Sequence, residues 1–283
     1  MDIKNVCVIG AGAMGSGIAQ LAATHGYHVY LVDITEEILK NAKASIDKNL
    51  DRFFVAKSKL SNEEAKMILS RILLTTNRDE AIIDVQIVIE AVFEDMALKQ
   101  DLLCDLDKKC QKNVILASNT SSLSITDMAK KATNQERIVG IHFFNPAPVM
   151  KLIELIKGKK TSDEILESSK KFALSLNKTV VTVNNSPGFI TTRLIYVLCN
   201  EAINMKQEGI ASTEDIDTAV KLAFNFPMGP LELSDLVGND IFLHIGDYLK
   251  EKLGENYNPS PLLKKMVNDN LIGRKTKRGF YTY

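Results

Sequence analysis

An apolar run, Val6-Cys7-Val8-Ile9, leads straight into Gly10-Ala11-Gly12-Ala13-Met14-Gly15. Beyond the last glycine, Ile18, Ala19, Leu21 and Ala22 recur at helical spacing. Each glycine has its own task in such a strand–turn–helix. Gly10 permits the tight turn, Gly12 lets the backbone approach a pyrophosphate, and Gly15 allows the helix to pack closely on the strand. Ala11, Ala13 and Met14 complete the loop, and the helix start offers N–H groups and a partial positive charge. A second β-rich run, residues 28–32, ends in Asp33, at the separation where a ribose-binding carboxylate is expected. Taken singly, a glycine-rich turn or an acid at a strand end can be merely structural. Together they define a βαβ dinucleotide unit. A carboxylate accepts hydrogen bonds from a ribose 2′-hydroxyl and repels a 2′-phosphate, and Ile34-Thr35-Glu36 brings no arginine to offset it. NAD is therefore the expected cofactor, with NADP disfavoured by Asp33.

The same alternation continues. Residues 72–75, 87–89, 114–117, 139–143, 152–156 and 180–183 read as further strands. Residues 36–54, 63–69, 97–109 and 164–176 read as helices. Several strands are almost wholly apolar, as befits strands covered by helices on both faces. The pattern predicts a Rossmann-type α/β domain over residues 1–185, a doubly wound and mainly parallel sheet. After Asn184-Asn185-Ser186-Pro187-Gly188 helical patterns dominate, at 189–208, 213–223, 231–252 and 262–268. An all-α C-terminal domain is expected over residues 186–283, able to contribute to a substrate pocket and a homodimer interface.

Composition excludes other classes. The 283 residues are 45% hydrophobic and 25% charged, a globular rather than disordered balance. Thirty-five basic residues against thirty-five acidic ones lack the excess a nucleic-acid partner would require. No apolar run approaches the ~18 residues of a membrane span. An apolar strand follows Met1 so soon that no leader peptide is expected. Cys7, Cys104, Cys110 and Cys199 form no Cys-x-x-Cys pair, and the histidines are scattered, so no metal site and a reducing, cytoplasmic setting are expected.

Hydride chemistry on an alcohol needs a proton acceptor, and histidine titrates nearest neutrality. His25 and His28 flank a turn, and His244 lies among helical segments; all three read as structural. His142 ends an apolar strand and opens His142-Phe143-Phe144-Asn145-Pro146, where ligands of open α/β sheets bind. Glu154 stands among the aliphatic residues of Leu152-Ile153-Glu154-Leu155-Ile156, and a charge there needs a partner or an outward face. If the strand returns beside His142, a Glu–His hydrogen bond would orient the ring and stabilise its protonated form. Ser118-Asn119-Thr120-Ser121-Ser122 follows another strand. Its polar groups can serve a substrate carbonyl and a nicotinamide, or simply cap the next helix, whose Ser124-Ile125-Thr126-Asp127 has capping-box character.

These motifs, with Lys151-Leu152-Ile153-Glu154, Pro187-Gly188-Phe189, Asp215-Ile216-Asp217, Pro227-Met228-Gly229-Pro230 and Gly279-Phe280-Tyr281, resemble the short-chain L-3-hydroxyacyl-CoA dehydrogenases over essentially the whole chain. The resemblance implies His142 as acid/base with Glu154 as its partner. It implies substrate contacts by Ser121 and Asn145, and cofactor contacts by Asp33, Glu94, Lys99, Asn119 and Lys275. The implied reaction interconverts (S)-3-hydroxybutyryl-CoA and acetoacetyl-CoA in a homodimer. Lys48, Arg52 and Lys57 form a candidate basic face for CoA phosphates, with ordinary solvated charges as the alternative. Family members commonly carry Val-Asn-Arg where this chain has Thr191-Thr192-Arg193, so Thr192 takes the place of a substrate-pocket asparagine. Its hydroxyl could serve the substrate or bond back to the helix. A β-hydroxyacid dehydrogenase without CoA, and a catalytically silent crystallin-like protein of the same fold, are the rival readings.

Overall fold

The computed structural model of the chain describes residues 2–51 and 60–283. Arg52 and Lys57 of the candidate CoA face, and the end of the helix expected over 36–54, lie outside the described residues. The chain divides into two units, Met1–Asn185 and Ser186–Tyr283.

In the first unit β1 (Asn5–Ile9) leads through the glycine turn into α1 (Ala13–Thr24), followed by β2 (His28–Val32) and α2 (Glu36–Leu50). Next come α3 (Asn62–Ser70), β3 (Ile72–Thr75), the single turn α4 (Arg78–Ala81), β4 (Ile87–Glu90) and α5 (Met96–Lys109). The unit closes with β5 (Ile115–Ser118), the single turn α6 (Ile125–Met128), β6 (Ile138–Phe143), β7 (Leu152–Lys157), α7 (Asp163–Ser175) and β8 (Thr179–Asn184). The eight strands form one sheet in the order β3-β2-β1-β4-β5-β6-β7-β8. All neighbours are parallel except the antiparallel pair β6–β7. The order reverses between β1 and β4, which makes the carboxyl end of β1 a topological switch point. Alternate residues on both faces are buried: Val6 and Val8 on one side of β1 and Cys7 on the other are fully covered. That double coverage is why the strands read as continuous apolar runs.

Helix starts follow local chemistry. Thr35 accepts a hydrogen bond from Ile38 N, Asp95 from Leu98 N, Ser162 from Ile165 N, and Ser61 closes a full capping box with Glu64. Ser124 caps α6 by accepting from Asp127 N at 3.1 Å.

The second unit contains α8 (Thr191–Gln207), α9 (Thr213–Phe224), α10 (Pro230–Val237), α11 (Asn239–Leu253) and α12 (Pro261–Asn268). Its core gathers Tyr196, Cys199, Ile203, Leu231, Phe242 and Leu249. The single helix expected over 231–252 is two helices. Gly238 adopts φ 114°, where a β-carbon is poorly tolerated, and the Asn239 amide bonds Asp235 Oδ1 and the Leu271 carbonyl. Two buried aspartates organise this unit. Asp217 accepts from Leu231 N, Glu232 N and the Tyr281 hydroxyl, and Asp235 accepts from Phe280 N and Tyr281 N.

Candidate active site

The glycine loop separates its three tasks by geometry. Gly10 has φ 97°, donates to the Val32 carbonyl at 2.8 Å, and would place a β-carbon 2.6 Å from the Ala91 oxygen. A β-carbon on Gly15 would stand 1.7 Å from the Gly10 oxygen, so α1 rests directly on the turn. On Gly12 it would meet nothing within 4 Å. The fold itself therefore makes no demand for glycine at this position. The open space lies at the start of α1, which has neither a side-chain cap nor an acidic residue in its first turn. A pyrophosphate fits these features: exposed amides, a positive helix end and room for close approach. Asp33 fastens the neighbouring strand to the loop, accepting from Ala11 N at 2.6 Å and Ile34 N at 2.7 Å. Its two oxygens keep lone pairs beyond these bonds, enough to accept from a ribose hydroxyl.

A buried charge network joins the carboxyl ends of β4 and β5. Glu90, fully buried at the end of β4, accepts from Lys99 Nζ on both its oxygens at 3.0 and 2.8 Å, from Val92 N, and from the Ser118 hydroxyl. Lys99 also donates to the Val92 carbonyl and lies 3.5 Å from Glu94. Glu94 in turn accepts from the Thr120 hydroxyl at 2.5 Å and from Ser121 N and Ser122 N at 3.0 and 3.2 Å. Sequence reasoning set Glu94 and Lys99 side by side and missed Glu90, on which Lys99 is seated. A carboxylate closing the wholly apolar strand Ile87-Val88-Ile89 was the available signal, because such a charge must be partnered. Asn119, also buried, accepts at Oδ1 from Phe143 N at 2.9 Å and thereby ties this loop to the end of β6. Ser121 is half-buried, and its hydroxyl makes no hydrogen bond among the described residues.

His142 and Glu154 are directly opposed in the β6–β7 register. Nδ1 lies 2.8 Å from Glu154 Oε2, with both side chains almost completely buried. A carboxylate can only accept, so this contact places the hydrogen on Nδ1. The Phe144 ring packs on the imidazole at a centroid distance of 4.4 Å. Asn145 is exposed beyond it, joined to Pro146 by a cis peptide bond. His25 bonds the Leu21 carbonyl through Nδ1.

Lys48 is exposed in the last turn of α2. In the helical unit Thr192 is buried near the start of α8, and its hydroxyl has no hydrogen bond among the described residues, so the bond back to the helix is not seen. Lys275 pairs with Asp240, both oxygens at 3.1 Å.

Fold and site define a dinucleotide-binding α/β protein with a buried His–Glu pair at the carboxyl edge of its sheet. Residues 5–186 match the model of the 3-hydroxyacyl-CoA dehydrogenase NAD binding domain, and residues 188–283 that of the 3-hydroxyacyl-CoA dehydrogenase C-terminal domain. The chain belongs to the 3-hydroxyacyl-CoA dehydrogenase family. It is 44% identical over 279 residues to the 3-hydroxybutyryl-CoA dehydrogenase of Clostridioides difficile, covering 98% of this chain and 99% of that one. It is also 44% identical to human mitochondrial hydroxyacyl-coenzyme A dehydrogenase, over 99% of this chain and 91% of the relative. The crystal structure of (S)-3-hydroxybutyryl-CoA dehydrogenase PaaH1 from Ralstonia eutropha superposes with a TM-score of 0.95 at 41% identity, covering 100% of this chain and 99% of that one.

Proposed function

We propose that this chain interconverts (S)-3-hydroxybutyryl-CoA and acetoacetyl-CoA with NAD, His142 acting as acid/base and Glu154 as its partner. The observation that carries the reading is the buried His142–Glu154 pair, locked in strand register beside the loop that Asn119 ties to β6. When bound, NAD supplies the hydride acceptor; the chain supplies everything else. The glycine loop and the α1 start hold the pyrophosphate, and Asp33 holds the ribose and disfavours NADP. With Nδ1–H engaged by Glu154, proton exchange with the 3-hydroxyl falls to Nε2 of His142. Glu154 offsets the positive charge that the ring then carries. Ser121 and Asn145 hold the reacting oxygen, Ser121 in a loop that Glu94 pins by four hydrogen bonds to one carboxylate oxygen and Asn145 in the loop after β6.

Glu94, Lys99, Asn119 and Lys275 for the cofactor, and Thr192 and Lys48 for the substrate, enter the proposal on family correspondence. A homodimer is supported by apolar side chains exposed along the helical unit, among them Leu194, Val197, Ile210, Leu222 and Phe224. No described helix is long and apolar enough to cross a membrane. A cytoplasmic setting is supported by four free cysteines, of which Cys7 and Cys199 have thiols pushed far above their ordinary range by burial.

NADH oxidation driven by acetoacetyl-CoA, with free acetoacetate and NADPH run in parallel, tests the reading. Turnover that needs the CoA ester and favours NADH is expected. Turnover of free acetoacetate alone would mark a dehydrogenase without CoA, and NADH binding without turnover a silent relative.

A further inference from the structure

Lys178, in the turn between α7 and β8, has no part in any role assigned so far. It is 8% exposed, and no carboxylate lies within ion-pair distance among the described residues. Its ammonium instead donates to two backbone oxygens, Ala147 at 2.8 Å and Met150 at 2.7 Å. Burial lowers its proton affinity below that of an ordinary lysine. Packing alone would be served better by an aliphatic side chain, since a buried charge carries a desolvation cost. What the charge obtains here is a hold on one loop.

That loop follows the catalytic strand. The Pro146 carbonyl accepts from both Val149 N and Met150 N at 3.0 Å, closing a tight turn. Ala147 is buried against α1, where a β-carbon on Gly17 would stand 3.4 Å from its own. Upstream, Phe143 N is held by Asn119. Asn145 thus lies between two pinned points, Phe143 N and the Ala147 carbonyl, while its own side chain has no hydrogen bond among the described residues. Nothing on the Asn145 side chain itself fixes where it points; the backbone on either side must do so.

We propose that Lys178 is a positioning residue for the substrate, clamping the 145–150 loop so that Asn145 meets the reacting oxygen. The inference rests on the reaction proposed above. Charge-assisted bonds are the stronger kind, and two to one short turn suffice to select a single arrangement.

The test compares Lys178→Ala and Lys178→Met with wild type, each alone and in an Asn145→Ala background. Folded fraction is matched by circular dichroism, and NADH affinity is measured by fluorescence titration. In the wild-type background either change lowers kcat/KM for acetoacetyl-CoA by about tenfold or more, the scale of one lost charge-assisted hydrogen bond. NADH affinity stays within about twofold, and in Lys178→Ala added ethylamine restores part of the loss. In the Asn145→Ala background the loss shrinks towards unity, because the lysine acts through that side chain. An equal loss in both backgrounds, or a parallel fall in NADH affinity, overturns the proposal. A wild-type protein with no acetoacetyl-CoA turnover overturns the proposed reaction and this inference with it; a wild-type enzyme matched by its Lys178 variants overturns this inference alone.

Discussion

Glu154→Gln isolates the charge of the buried pair from its shape. Glutamine has nearly the same volume, and the β6–β7 register that sets the two side chains opposite each other is made by backbone. The variant should therefore fold with the dyad geometry in place. In the proposed reaction, what changes is the interaction with the imidazolium formed when His142 takes the proton. With Nδ1 and Oε2 2.8 Å apart, the two charge centres stand about 4 Å apart, and at an effective dielectric near 20 their attraction is about 4 kcal/mol. A neutral amide keeps a hydrogen bond of roughly 0.5–1.5 kcal/mol. Because the ring's charge is only partly developed at the transition state, the net loss is about 1.5–3 kcal/mol, or roughly 10- to 150-fold in kcat. The assay is steady-state NADH oxidation at saturating acetoacetyl-CoA across a pH series, alongside His142→Gln, for which about 10²–10⁴-fold is expected. If Glu154→Gln retained kcat within about threefold of wild type with the same pH profile, below the range this electrostatic argument allows, the reasoning would be wrong and Glu154 would be a packing residue.

Gly12 and Gly15 should separate binding from stability. Gly15→Ala, whose β-carbon meets the Gly10 oxygen at 1.7 Å, is expected to cost at least 1–3 kcal/mol in denaturant melts, the usual scale of overpacking. Gly12→Ala should leave the melt within about 0.5 kcal/mol and weaken NADH binding about tenfold or more; unchanged NADH affinity would remove the pyrophosphate from this turn. Asp107, buried in the last turn of α5, supplies an acid-stability test. Burial by itself would raise its carboxyl, but hydrogen bonds from Asn134, Arg137 and Thr133 outweigh it and hold the group below the ordinary carboxylate value of 3.8. A depressed value means stability that is present above pH 3.8 and lost as pH falls through the lower, folded-state value. Asp107→Asn should cost about 3–5 kcal/mol at pH 7, since Arg137 is left as a buried unpaired charge, and the gap should narrow in acid melts. A gap independent of pH would refute the assignment.

The first unit was legible because its physics is local and repetitive. Strands covered on two faces read as apolar runs, and the glycine spacing names the turn it makes. Four features resisted, each for its own reason. The break at Gly238 is invisible because a glycine inside a helical pattern is ordinarily tolerated, and the bonds that stabilise the break reach Asp235 and Leu271. Lys99 had two carboxylates within reach along the chain, Glu90 and Glu94. Only the burial of Glu90 decides which one it must neutralise. Glu154 shows the limit of reading alternation: inward and outward faces differ by one residue of register, and register is a property of two strands. The placement of Lys178 on carbonyls far upstream leaves no pattern in the chain.

The opposition of His142 and Glu154 across β6 and β7 also gives the protein a built-in reporter of its own assembly. The two strands follow one another in the chain, joined by residues 144–151, and the side chains meet only when β6 and β7 have paired antiparallel in the correct register. A slip of one residue would send Glu154 to the opposite face of the sheet. During refolding, helical signal can return while this pairing is still absent, since helices form from near neighbours and strand pairing must first close a loop. If turnover depends on the pair as proposed, its recovery, followed beside circular dichroism, comes no earlier than the pairing of β6 with β7, a step that a spectrum of secondary structure does not resolve.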